Sequence, residues 1–194
     1  MKIRSATPDD LNALFILNTQ ISELHFRHAP HTFVPPSEED RNFLADALAD
    51  DARLVLIAEE GQQALGFITA TITQNETISF LIKDPICRIG TIVVDENQKS
   101  KGVCRALMAA VEQWARESGA TQVRLEVMEF NHNAQQFYEA RKDVGYSARP
   151  LRTQDRPRAL AAQAAADRRS AGRHHHDPHA QKPELDVDLG KIRK

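Results

Sequence analysis

Long apolar runs are missing from this sequence. No segment approaches the roughly 18 or more consecutive apolar residues of a membrane span, and the first residues, MKIRSATPDD, contain no apolar stretch of signal-peptide length. A membrane partner is therefore not expected, and a cytoplasmic location is. Cysteine is scarce. Cys87 and Cys104 are neither in a CxxC pattern nor near a histidine pair, which excludes a disulfide framework and a zinc site and leaves two free thiols in a reducing compartment. Neither GxxxxGKS/T nor GxGxxG occurs, so nucleotide hydrolysis and dinucleotide binding lose support. No metal site is predicted.

What is present is enough for one globular body. The chain has 194 residues, of which 41% are hydrophobic, and a chain of that length suits roughly one domain. Charge divides it unevenly. Residues 1–146 hold 14 Lys and Arg against 21 Asp and Glu, a net of -7, whereas residues 147–194 hold 11 against 6, a net of +5. The basic end has no aromatic residue and few large aliphatics. It cannot bury enough apolar area to offset the cost of ordering its backbone. We therefore divide the chain into a folded domain over 1–146 and a tail over 147–194, expected to be disordered or at most a marginal helix over about Arg158 to Arg169. His174, His175 and His176 are adjacent and bring no preformed metal geometry, so they read as part of a solvated tail.

Within the first 146 residues strand and helix patterns alternate. KIRSA reads as a strand, followed by a helix that starts at Thr7, Pro8 and Asp10. Ser37 with Glu38, Glu39 and Asp40 opens a second helix through Phe43, Leu44, Ala47 and Leu48. RLVLIAEE and ALGFITATIT, separated by GQQ, predict an antiparallel hairpin. ICRIGTIVV, the amphipathic stretch after it, QVRLEVM and NAQQFYEAR then give strand, helix, strand, helix. The predicted class is α/β, a mixed sheet with helices packed on it.

One connection in that series carries chemistry. VVDENQKSKGVCRALMAAVEQW leaves a strand, passes a basic loop with a single glycine and enters a helix. A helix N-terminus offers backbone N–H groups outside the helix ladder beside the positive end of its dipole, which suits a phosphate or pyrophosphate. Gly102 lets the backbone approach such an anion, and Lys99, Lys101 and Arg105 add positive charge. An ordinary strand-to-helix connection with solvated lysines is the alternative reading.

The surroundings of the loop resemble the central region of the GNAT family of N-acetyltransferases, whose acetyl-CoA loop is often written Q/R-x-x-G-x-G/A after a strand. Lys99, Ser100, Lys101, Gly102, Val103 and Cys104 occupy those six places, and Ile92, Val93 and Val94 close the strand. Lys99 replaces Gln or Arg, Ser100 a frequent glycine, and Cys104 the last small residue. A second block, Glu126, Asn131, Ala134 and Phe137-Tyr138, is similar to the family's strand-to-helix segment that ends in a tyrosine near the coenzyme sulfur. Gly145-Tyr146 then lies about three residues farther on than in the family, and the tail shows no alternating apolar pattern, which leaves room for a fold without its terminal strand.

The resemblance implies a GNAT-like fold over residues 1–146 and transfer of an acetyl group from acetyl-CoA, as cosubstrate, to a primary amine. The implied coenzyme-binding residues are Ile92, Val93, Val94, Lys99 to Arg105, Asn131 and Tyr138. An alkylammonium must lose its proton before it attacks, and Glu126, partly desolvated with its pKa raised, is the candidate base. Its alternative is a surface residue paired with Arg124. Tyr138 is the candidate acid for the departing thiolate, or else an aromatic of the helix's apolar face alongside Phe137. A backbone N–H at Val93 or Val94 would hold the oxyanion.

For the acceptor, His25, His28, His31, Glu39 and Asp40 are the polar residues of the region that borders it in the family. The acidic body favours a cationic small-molecule or peptide amine; a homodimer is compatible with the sequence. The rival classes are a non-catalytic acyl-CoA-binding or regulatory domain and a nucleic-acid binder using the basic tail. The acidic body and the absence of tail aromatics argue against nucleic acid.

Overall fold

The computed structural model describes residues 1–80 and 83–140, and the backbone of 146–151. Six strands lie side by side in chain order: β1 (Lys2–Ser5), β2 (Arg53–Glu60), β3 (Gln63–Thr73), β4 (Ile86–Val94), β5 (Gln122–Met128) and β6 (Tyr146–Leu151). The pairs from β1 to β4 are antiparallel, and β4–β5 and β5–β6 are parallel. This follows from the connections. The predicted hairpin turns through Gly61, whose φ of 62° favours glycine, while each parallel pair is joined by a helical crossover, α3 (Val103–Glu117) or α4 (His132–Glu139).

Helix α1 (Leu11–His28) continues from a 3-10 turn at Pro8–Asp10. Asp10 accepts from the Thr7 N–H at 2.8 Å and so closes the predicted start. Helix α2 (Glu38–Ala49) is capped by Ser37, whose hydroxyl accepts from Glu39 N–H, and Asp40 accepts from Ser37 N–H at 3.1 Å. These two helices cover one face, where Leu14, Leu17, Leu44 and Leu48 pack on Val55, Ile57 and Phe67. On the other face Leu107, Met108 and Val111 of α3 and Tyr138 of α4 pack on Leu56, Ile68, Cys87 and Leu125. A sheet with helices on both faces buries both sets of alternating side chains. Cys87 is fully buried, and burial pushes its thiol up to about 12, so it stays neutral.

The C-terminal end differs from expectation. A strand is present where the tail offered no alternating pattern: β6 pairs with Val123 to Met128 along its whole length. The boundary after residue 146 therefore falls inside β6. Backbone pairing does not require an alternating side-chain pattern, and Pro150 is tolerated because β6 is an edge strand among the described residues. The predicted tail conformation, including the marginal helix and the three histidines, lies outside the described residues from 152 onward.

Candidate functional site

Strand β4 is paired unequally on its two sides. Against β3 it is in register from Ile86 to Val94, whereas against β5 it pairs only through Ile86, Cys87 and Arg88 with Gln122, Val123 and Arg124. Beyond Arg88 the two parallel strands part. The register against β3 shifts at the same place, Ala70 facing Ile89 and Thr69 facing Thr91, so Gly90 is the extra residue of a bulge. Thr69, buried at 3% exposure, fills the gap: its hydroxyl accepts the Thr91 N–H at 3.0 Å. A Cβ at Gly90 would lie 3.0 Å from that same oxygen.

The backbone directions along the open edge follow from alternation. Thr91 N–H points to Thr69 and Asp95 N–H donates to Leu65 C=O at 2.9 Å, both toward β3. Val93 has the same parity and also faces β3, so Ile92 and Val94 direct their N–H groups to the side that faces β5, where β4 is unpaired. Of the two residues offered as oxyanion donors, Val94 has the suitable direction. The side chains divide too, with Val93 buried under α1 and α2 and Ile92 and Val94 packed toward α3.

From Val94 the chain enters the loop. Asp95 Oδ1 accepts from Asn97 N–H at 2.8 Å and initiates a 3-10 turn over Glu96–Gln98. Burial works against the Asp95 charge, but hydrogen bonds from Gln20 and Asn97 hold its carboxyl below the usual range. Ser100 has φ 64° and Gly102 φ 84°, the second as N-cap of α3. Nothing lies within 4 Å of where a Gly102 Cβ would be, so space is open there. The helix ladder begins with Ala106 N–H to Gly102 C=O, so the N–H groups of Val103, Cys104 and Arg105 lie outside it. Lys99, Lys101 and Arg105 are exposed around this terminus, Lys101 donating to Gln98 at 2.9 Å. The Val103 side chain is buried in the core, which limits any ligand contact there to its backbone. Cys104 is half-buried and carries a reduced thiol.

The second block is positioned differently from expectation in part. Glu126 is exposed on β5, so the partial desolvation expected of it is absent. Arg124 does not pair with it but donates to Gln122 at 2.9 and 3.1 Å. Tyr138 is 3% exposed, in the core beside the Phe137 ring at 5.2 Å. Asn131 caps α4, its Oδ1 accepting from Ala134 N–H at 3.2 Å. Of the acceptor-side residues, His28 stacks on Phe130 at 4.9 Å and His25 meets Phe33 and Phe130 at 4.7 and 5.6 Å. This cluster joins the end of α1 to the end of β5. Glu39 and Asp40 belong to the α2 cap, and His31 is exposed.

Sequence reasoning missed two residues that shape this region. Thr69 is one. Gln20, on α1, is the other: its Nε2 donates to Asp95 Oδ2 at 3.1 Å and its Oε1 accepts Glu96 N–H at 3.0 Å. Neither carries a local signal, because each acts on a partner distant in the chain. A small cavity of about 50 Å³, lined by Ser5, Leu48, Arg53 and Trp114 among others, includes no residue of β4 or β5.

Comparison with known proteins gives the family and the fold. Residues 18–146 match the model of the Acetyltransferase (GNAT) family. The mycothiol acetyltransferase of Propionibacterium freudenreichii subsp. shermanii is 29% identical over 162 residues, covering 80% of this chain and 49% of that protein. The chain thus spans about half the length of that relative. Among solved structures, a mutant of the BH1408 protein from Bacillus halodurans superposes with a TM-score of 0.67 at 23% identity, covering 72% of this chain and 90% of that one. The enzyme AAC(6')-Iy, bound to a bisubstrate analog of CoA and acetylneamine, gives 0.58 at 20% identity, covering 75% and 89%. With the family model spanning most of the chain and the fold shared with these structures, this protein belongs to the GNAT acetyltransferase family.

Proposed function

We propose that this chain transfers an acetyl group from acetyl-CoA to a primary amine, with residues 1–151 as the catalytic body. The observation that carries the reading is the continuity of β4 with the loop. An edge whose Ile92 and Val94 N–H groups face a cleft runs directly into a basic helix N-terminus with open space at Gly102. Such a surface can hold an extended amide-bearing arm along the strand and a pyrophosphate at the helix. Lys99, Ser100, Lys101, Gly102, the backbone of Val103 and Cys104, and Arg105 would form the phosphate end. Asn131 would act through its cap, fixing where α4 begins.

In this reading the acceptor ammonium gives its proton to Glu126, directly or through one water. The freed amine attacks the thioester carbonyl, and the resulting oxyanion accepts from an outward N–H such as that of Val94. Collapse expels the coenzyme thiolate, which takes a proton from Tyr138, and the nitrogen sheds its second proton to the Tyr138 phenolate as the amide forms. The acceptor enters past His25, His28 and Phe130. Some structural relatives are aminoglycoside N-acetyltransferases, and the acidic body suits a cationic small molecule of that kind.

The exposure of Glu126 and the burial of Tyr138 favour one competing reading, a non-catalytic acyl-CoA-binding domain. A coupled thiol-release assay over polyamines, aminoglycosides, cysteinyl amines and lysine peptides separates the two. Turnover with one class, reduced at least tenfold in Glu126→Gln or Tyr138→Phe, supports the mechanism. Stabilisation by acetyl-CoA without turnover on any amine supports the binder. Absence of both overturns the coenzyme assignment.

A further inference from the structure

The loop after β4 is held from outside by a side chain of α1. Gln20 projects from α1 and uses both ends of its amide on successive residues, Asp95 and Glu96, which are remote from it in sequence. Asp95 itself is engaged on every side: its backbone N–H goes to Leu65 C=O, its C=O accepts from Gln98 N–H at 2.9 Å, and its second carboxylate oxygen accepts from Asn97 N–H. The direction in which the chain leaves the open edge of β4 is therefore set by a hydrogen-bonded unit of Gln20, Asp95 and the 3-10 turn, anchored on a helix of the opposite layer. A side chain that satisfies a donor and an acceptor together tolerates little displacement of either.

We infer that Gln20 is a positioning residue for coenzyme binding: it fixes the path from Val94 to Gly102, and with it the distance between the strand edge and the phosphate end of the site. This rests on the coenzyme reading of the loop given above. The hydrogen bonds of Gln20 go to Asp95 and Glu96 and not to Gly102 or α3, so its effect on the loop passes through those two residues. Beyond Gln20 the same helix reaches His25 and His28, which pack on Phe130. One rigid element thus touches the coenzyme loop and the acceptor rim.

A polarity swap tests the inference in the full chain. Gln20→Glu keeps an acceptor for Glu96 N–H but sets a second carboxylate against Asp95. Asp95→Asn supplies an amide donor in place of that carboxylate. In the double variant the new amide at position 95 donates to the new carboxylate at position 20. That carboxylate still accepts from Glu96 N–H, and the amide oxygen still accepts from Asn97 N–H, so every bond is restored with roles exchanged. Acetyl-CoA affinity by calorimetry and the ligand-free melting temperature are read on all four proteins. The expected result is a Kd raised about tenfold by Gln20→Glu, since a hydrogen bond to a charged group is replaced by repulsion, and returned to within about threefold of the parent in the double variant. KM for acetyl-CoA should follow Kd, with KM for the amine changed less. A melting temperature lowered with Kd unmoved would make Gln20 a structural residue only and overturn the inference. A double variant as weak as Gln20→Glu would overturn it too. If the parent binds no acetyl-CoA, the coenzyme reading fails first and the positioning role falls with it. If Gln20→Glu does not fold, Gln20→Met, which removes both bonds without adding charge, gives the same comparison of Kd against melting temperature.

Discussion

The two edges of β4 have opposite fates. Against β3 the strand is paired to its last residue, Val94, whereas against β5 the pairing stops at Arg88. The closed seam is bound by side chains chosen to be small or buried: Gly66 faces Val94, and Phe67 and Ile68 are fully buried beside it. Past Arg88 the open seam leaves the β4 donors on that side without a β5 partner, which is where the proposed coenzyme arm would lie. One strand thereby serves as core on one side and, past Arg88, leaves its backbone unpaired with β5 on the other.

The comparison is broken most severely at Gly66. A Cβ there would stand 2.5 Å from Val93 C=O and 3.2 Å from Val94 Cα, both of them backbone that cannot step aside. Gly66→Val is expected to cost about 3 kcal/mol or more in urea unfolding, because the seam must separate to admit the side chain. An unchanged midpoint would mean that β3 and β4 are not held as closely as their register indicates.

Thr69 tests what opens the other seam. Thr69→Val keeps the shape but removes the acceptor of Thr91 N–H, leaving a donor unsatisfied at a cost of about 1 to 3 kcal/mol. Thr69→Ser, which retains the hydroxyl, should lose clearly less. If the bulge aims Ile92 and Val94 at the cleft, Thr69→Val should also reduce the thermal stabilisation given by acetyl-CoA beyond what its own instability explains, and serine should restore it. Equal behaviour of the two variants would assign the bulge to the backbone alone.

How much of this was legible in the sequence depended on the range of each signal. The β2–β3 hairpin, the Ser37 cap and the Gly102 helix start are written in adjacent residues, and the structure places all three where the pattern did. The acetyltransferase resemblance rested on two such local blocks and agrees with the family match. Thr69 and Gln20 act across distances that no local pattern records. Strand β6 was missed because an edge strand can be held by its partner's backbone without an apolar alternation of its own. Glu126 was expected to be partly desolvated, yet burial depends on which neighbours cover β5, and its side of the strand is left open.

Gly102 sharpens the functional side without touching the seam. Gly102→Asp has room for its side chain but must hold φ near 84°, a conformation that costs a non-glycine residue roughly 1 kcal/mol. It also sets a negative charge where the pyrophosphate is proposed to lie. Acetyl-CoA Kd should rise about tenfold or more, equivalent to about 1.4 kcal/mol, with ligand-free unfolding only slightly affected. An unaltered affinity in calorimetry would reduce the loop to a connection.

The smallest effect is expected where the closed half is pinned at its far end. Arg4 on β1 donates to Asp10 at 2.7 and 2.8 Å and pairs with Glu59 at 2.8 Å. The hydrogen bonds from Arg4 are the main cause that holds the Asp10 carboxyl below its ordinary value of 3.8, against a smaller opposing effect of burial and with help from Thr7. Because the folded pKa is the lower one, the stabilisation is fully present above the unfolded value and is lost as pH falls through the folded one. At pH 7, Asp10→Asn should therefore cost about 1 kcal/mol, tempered by the partial exposure of Arg4, and the gap between variant and parent should close below about pH 4. Urea unfolding at pH 7 and near pH 2.5 reads both points, and a gap independent of pH would show that Asp10 acts through helix geometry and not through its charge. Acetyl-CoA affinity at pH 7 should be unmoved, since this ion pair lies on edge strand β1, three strands away from β4 and its open seam.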